Sequence, residues 1–230
     1  RRQRQMCIRD SLKRMLKIQN EIDLPPLGPG WAGAVMGLGI SSTLIDVHVT
    51  PLLGPAPSKA MLGAATILAV SLAFGFLKHH NPGFYAADMP AWGMVSMGIL
   101  SLGSAYSLIY EAWSVHTLCW AIGTVLGAVT CIRFLMFLIC DRPSAPAFTW
   151  GLPLVAPMVA ATSSAQLAPH AGEWGSIVHS IGVISFALAW LTGVPTFAFV
   201  YLRTIPKVPT SFAATAWIPL CLLYTSDAAD

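Results

Sequence analysis

From Pro29 to His48 the chain reads PGWAGAVMGLGISSTLIDVH, an apolar run close to the roughly 20 residues a helix needs to cross a bilayer. Runs of similar length recur along the rest of the sequence. Hydrocarbon offers no partner to a backbone N–H or C=O, so a segment that crosses it is a helix or part of a closed barrel. These runs are continuous rather than alternating, which selects helix. Hydrophobic residues make up 55% of the chain and charged ones only 10%. An ordinary soluble domain is about 25% charged. The expected fold is therefore an all-α, polytopic integral membrane protein.

The first run is not built like a lipid anchor. Gly33, Gly37 and Gly39, then the hydroxyls Ser41, Ser42 and Thr43, stand where leucine and valine would fill a simple span. A slim, lightly polar helix suits one that lines a path. No phosphate loop, triad spacing or carboxylate pair lies at bilayer depth, so neither an enzyme nor a nucleic-acid binder is expected. The five cysteines show no CxxC spacing. Cys119, Cys131 and Cys140 fall in or beside apolar runs and read as small buried residues. The first run is long enough to stay in the membrane and does not read as a cleavable signal peptide.

Both ends have a different character. Residues 1–11 (RRQRQMCIRDS) and 221–230 (CLLYTSDAAD) resemble translated sequencing-adapter sequence, so natural sequence is expected over 12–220, with the reading frame truncated. The cluster Arg1, Arg2 and Arg4 is set aside with them. Residues 12–28 read as a cytoplasmic N-terminal segment, with a short interfacial helix that ends at Pro25-Pro26, because proline disfavours helix in the residue before it. Residues 29–220 form the membrane domain. Six complete spans are expected at 31–50, 58–77, 90–110, 115–139, 147–167 and 176–201, and a seventh starts at 210–220. The stretch 51–57 (PLLGPAP) reads as a tight turn, 111–114 as a short connection and 168–175 as a loop.

Lysine and arginine placement sets the orientation. Lys13, Arg14, Lys17, Lys78, Arg133, Arg142, Arg203 and Lys207 fall at or near one side of the expected spans, and Lys59 at the other. The N-terminus is therefore expected to be cytoplasmic, in a multi-pass protein of the cell's inner (plasma) membrane. Trp31, Trp92 and Trp150 near inner starts, and Trp113 and Trp174 near outer connections, fit aromatic belts.

The spans repeat in pairs. Pro29, Pro90, Pro146 and Pro209 mark the inner start of each odd span, at intervals of 61, 56 and 63 residues. PGWAGAVMGLG in span 1 and PAWGMVSMGIL in span 3 share an aromatic, then Gly and Met, at similar offsets. Parallel repetition of hairpins is a construction of carriers and channels. The odd spans hold the small residues, hydroxyls and prolines: Gly33 and Gly37; Ser96, Ser101 and Ser104; Pro153, Pro157, Ser163 and Ser164; Thr215 and Pro219. Spans 2 and 4 are more evenly apolar. A proline inside a span frees a backbone carbonyl, which is tolerated only against protein or a water-filled cavity. Odd helices are thus expected inside and even helices outside, although Gly33-x-x-x-Gly37 and single serines equally serve close helix packing.

Residues 29–33 (PGWAG) with 37–39 (GLG), 90–93 (PAWG) and 214–220 (ATAWIPL) resemble the tellurite-resistance/C4-dicarboxylate transporter family. That family includes plant slow anion channels and yeast malate and sulfite permeases. The likeness extends over residues 27–220. It implies ten helices in five hairpins, with the odd helices forming an inner pore for anions and spans 8 to 10 beyond this sequence. It also implies a late odd-helix phenylalanine that occludes the pore, to which no residue here can be matched. A homotrimer with one pore per subunit follows by resemblance alone.

Anion passage needs weak donors and positive potential rather than a nucleophile, metal or cofactor. The expected pore-lining residues are Gly33, Gly37, Ser41, Ser42, Thr43, Ser96, Ser101, Pro153, Pro157, Ser163, Ser164 and Thr215. The ligand classes are C4-dicarboxylate, sulfite, tellurite-related or inorganic anions, and the partner surface is the lipid bilayer. Arg133, Arg142, Arg203 and Lys207 would gather anions at the inner mouth, although orientation alone explains them. Asp46 and Glu111 near outer helix ends read as hydrated or hydrogen-bonded carboxylates rather than proton couplers. The alternative is a membrane haem or quinone redox protein using the outer-side histidines His48, His116 and His179. His79-His80 reads as a solvated loop pair.

Overall fold

The computed structural model describes residues 28–79, 83–140 and 148–204. The N-terminal segment, the adapter-like ends, Pro146, Pro209, the seventh span with Thr215, and His80 lie outside those residues.

Six long helices follow one another: α1 (Ala32–His48), α2 (Ala56–His79), α3 (Met89–Tyr110), α4 (Trp113–Cys140), α5 (Gly151–Leu167) and α6 (Gly175–Thr204). No strand occurs among the described residues. Each odd helix is led in by a 3₁₀ turn: Pro29–Trp31, Ala86–Asp88 and Phe148–Trp150. Pro90 sits in the first turn of α3, where its missing N–H leaves no helical bond unmade.

The boundaries differ from expectation in two places. Residues 51–57 are not one turn. Thr50–Leu53 forms a further helical turn with a proline at its start, and Gly54 at φ 77° stops it. Gly54 supplies the left-handed conformation that other residues resist. α2 then starts at Ala56, because Pro57 fits a helix's first turn. The connection before α4 is likewise shorter than 111–114. Glu111 takes a left-handed conformation at φ 55°, and α4 is under way by Trp113.

Among the described residues, five stretches are long and apolar enough to cross a membrane: Pro29–His48, Ala56–His79, Ala86–Tyr110, Trp113–Cys140 and Gly172–Arg203. α5 is shorter, at 17 residues, and nearly every side chain from Gly151 to Met158 is buried. It carries Pro157 in its interior, which removes one backbone bond and needs protein around the freed carbonyl. The neighbouring helices supply that protein.

Packing sorts the helices by parity. α1 lies on α3 and α3 on α5, so the odd helices form a contiguous arc. α2 packs mainly on α1, α4 on α3 and α5, and α6 on α5. Burial agrees at the centre: 56% of the apolar window of α3 is inside the protein, against 22% for α2 and 33% for α4 and α6. α1, at 28%, keeps an open face at the end of the arc. The even helices turn apolar stripes outward. On α4 these are Leu118, Ile122, Val125, Val129, Ile132, Met136 and Ile139, alternating steps of four and three residues. That is the spacing of one helical face, and on a chain of this hydropathy it is a surface for lipid.

The opposite face of α4 explains its fit. Gly123 and Gly127 let α3 approach so closely that an added Cβ would lie 2.6 Å from Leu100 Cγ and 2.7 Å from Ser96 Oγ. Small residues at such contacts are how helices associate where lipid is as apolar as leucine.

Candidate functional site

One cluster contains odd helices only. Met36 of α1, Met97 of α3 and Ala156 of α5 are buried together, with Met94, Leu152 and Val159 packed against them. The even helices contribute no residue to it, so it marks the side of the arc away from them. Gly33 belongs to that side, since a Cβ there would meet Met94 Sδ at 3.2 Å. Gly37 is exposed, and a Cβ on it would meet nothing within 4 Å among the described residues. This is the face on which the sequence places a path.

The hydroxyls are distributed unevenly. Ser42 is buried and donates to Gly39 O at 2.7 Å, and Thr43 donates to Ile40 O at 2.8 Å, both within α1. Ser41 is half-buried beside them. Ser96 donates to Gly123 O at 2.7 Å and so joins α3 to α4. Ser101 donates to Gly98 O and sits against Gly39, whose added Cβ would be 3.0 Å from its Oγ. Pro153 packs on Gly93, where a Cβ would come within 2.8 Å of the proline Cα. Pro157, Ser163 and Ser164 are buried on α5. Several of these groups therefore hold helices together.

A polar cluster lies where α3, α4 and α5 meet, towards the end of α3. His116 is fully buried, with Nε2 2.8 Å from Ser163 Oγ and 3.5 Å from Ser104 Oγ. Its Nδ1 has no hydrogen-bond partner among the described residues. One turn along, Trp120 Nε1 donates to Ser164 Oγ at 2.7 Å, and that hydroxyl donates on to Ala160 O. Gln166 Nε2 donates to Ser107 Oγ at 3.2 Å. Trp113 stacks on His170 with ring centroids 3.5 Å apart. His116, Ser104, Ser163 and Ser164 were each legible in the sequence, but they stand on three different spans that nothing in it joins. The visible signal was His116, Trp120, Gly123 and Gly127 at helical spacing on an even one.

At the far end of α1, the Asp46 carboxylate accepts from Ser58 Oγ at 2.8 Å and Thr50 Oγ1 at 3.2 Å. It is a hydrogen-bonded helix-end acid of the expected kind. Glu111 is exposed. His48 and His179 are exposed on α1 and α6, whereas His116 is buried against a serine, so the three histidines of the redox alternative are in different environments. Cys119, Cys131 and Cys140 are free thiols; only Cys131 is buried, and Cys140 is exposed, contrary to its reading as an interior residue.

The small-residue and proline-bearing odd helices thus pack on one another, and the even helices beside them turn apolar faces outward. The family profile of the voltage-dependent anion channel SLAC1 matches residues 26–228. The chain belongs to that family. Members are anion channels or transporters, and the SLAC1 assignment agrees with the family the sequence resembles. No curated protein and no solved structure matches the chain.

Proposed function

We propose that this SLAC1-family chain passes small or organic anions along the concave face of α1, α3 and α5. The observation that carries the reading is the odd-only cluster of Met36, Met97 and Ala156, with Gly33 and Gly37 beside it. α3 and α5 contain no charged residue, and α1 has only Asp46 near its end. An anion moving along them meets no fixed negative charge at mid-depth. The side-chain donor available to it is a weak one, the half-buried Ser41 hydroxyl. Weak binding suits conduction, because an anion has to leave as well as enter. Arg133 and Arg203, exposed near the ends of α4 and α6, raise anion concentration at the mouth where odd helices begin.

The substrate classes are C4-dicarboxylate, sulfite, tellurite-related and inorganic anions. The protein sits in the plasma membrane with its N-terminus cytoplasmic, as the lysine and arginine bias indicates, and assembles as a homotrimer with one path per subunit. The test adds a carboxylate on the concave face and, as a control, removes one outside it. Leu152→Glu on the concave face abolishes anion flux into liposomes. Asp46→Asn, outside the path, leaves it intact. Equal flux through both variants would remove the concave face from the mechanism.

A further inference from the structure

We infer that the crevice between α1, α2 and α3 is a binding slot for one acyl chain of a bilayer lipid. α2 follows α1 closely but touches α3 sparsely, and the gap leaves a cavity of about 250 Å³. Val35 of α1, Ala69, Ala73 and Phe76 of α2, and Trp92 and Ile99 of α3 are among its walls. Among the described residues, no hydroxyl or charged side chain lines it. Apolar cavities do not retain water, which needs two to four polar partners. The natural occupant is hydrocarbon.

The shape narrows this to a chain. The α3 wall runs from Trp92 to Leu102, about 15 Å at the helical rise per residue, close to the length of about a dozen extended methylenes. One end is closed where Thr66 Oγ1 and Tyr106 Oη meet at 2.9 Å, above the packed Leu62, Ala65 and Ala105. The other end is framed by aromatics. Phe76 and Phe84 stand edge-on to Trp92 with centroids 5.0 and 5.1 Å away. Trp92 Nε1 donates to Gly83 O at 3.0 Å, so the indole presents carbon to the cavity. The Arg133 guanidinium lies 5.1 Å over the Phe84 ring, a cation at the rim where a headgroup would sit. The slot also adjoins lipid directly. Ala73 is exposed, and Ile67, Val70, Phe74 and Leu77 of the same helix form its outward apolar stripe. A chain enters sideways between α2 and α3 without leaving the bilayer.

The inference is independent of anion passage, and its test uses no flux. The protein is reconstituted with a phosphatidylcholine that carries a diazirine midway along one acyl chain, irradiated, and mapped by peptide mass spectrometry. Adducts are expected within residues 69–76 and 92–102, as well as on the outward stripe of α4. The double substitution Ala69→Phe/Ala73→Phe fills the slot. It should remove the first set while leaving the α4 adducts, which also report that the variant is folded. Val70→Phe, on the bilayer-facing stripe, should remove neither. Wild-type adducts confined to outward stripes would overturn the inference without recourse to any variant. So would slot adducts that persist in the filled variant, or a photocrosslink showing that a second copy of the chain occupies the crevice.

Discussion

His116 Nε2 and Ser163 Oγ lie 2.8 Å apart, joining α4 to α5 inside a junction from which water is excluded. Ser163→Ala leaves the imidazole with only Ser104 at 3.5 Å and an Nδ1 already without a partner. An orphaned buried polar group costs about 1–3 kcal/mol, while hydrogen bonds between membrane helices average about 0.6 kcal/mol. The expected loss is about 1–2 kcal/mol, read as a lowered unfolding temperature in detergent. The double variant His116→Leu/Ser163→Ala should lose less than the two single changes summed, because it removes both polar partners. An additive result would mean that the pair does not interact.

Gly93 and Gly37 make a matched comparison. A Cβ at Gly93 meets the Pro153 backbone at 2.8 Å, which cannot rotate away, whereas one at Gly37 meets nothing within 4 Å. Gly93→Ala should force α3 from α5 and destabilise by about 1–3 kcal/mol, the usual cost of overpacking. Gly37→Ala should be neutral, or stabilising by up to about 1 kcal/mol through helix propensity. Thermal unfolding of the two variants side by side checks both.

Asp46 holds Ser58 and Thr50 at the junction of α1 and α2. Asp46→Asn keeps a carbonyl oxygen for the same donors, so flux and its pH dependence should stay unchanged. Asp46→Ala removes the acceptor and should cost about 1 kcal/mol of stability. A pH dependence abolished by Asp46→Asn would instead make this acid a proton coupler.

The order of helices was legible because bilayer thickness imposes a length that composition reveals directly. Proline legibly marked where α1 and α3 begin, since Pro29 and Pro90 fit only a first turn or its lead-in. The fine boundaries were less so. Proline at 51 and 57 was read as a breaker, but it starts helices there as well. The even apolarity of spans 2 and 4 was legible, and α2 and α4 turn apolar stripes outward. Which serine faces which neighbour was not legible. Ser96 and Ser101 differ by five residues on one helix, yet one bonds α4 and the other lies against α1. That choice depends on helix rotation, which a single span's sequence leaves free. The setting of His116, read only as one of three histidines near helix ends, was hidden for the same reason: its partners are 12 and 47 residues away.

The central claim, anion passage along the concave face of the odd helices, is tested most directly by flux in liposomes. Chloride, nitrate, sulfite and malate gradients are imposed at several membrane potentials across vesicles holding the wild-type protein or Leu152→Glu, matched for incorporated protein. Wild type should pass at least one of these anions above empty vesicles, and Leu152→Glu, beside Met36 and Met97, should not. No flux for any anion at any potential, or wild-type flux through Leu152→Glu, would contradict the account.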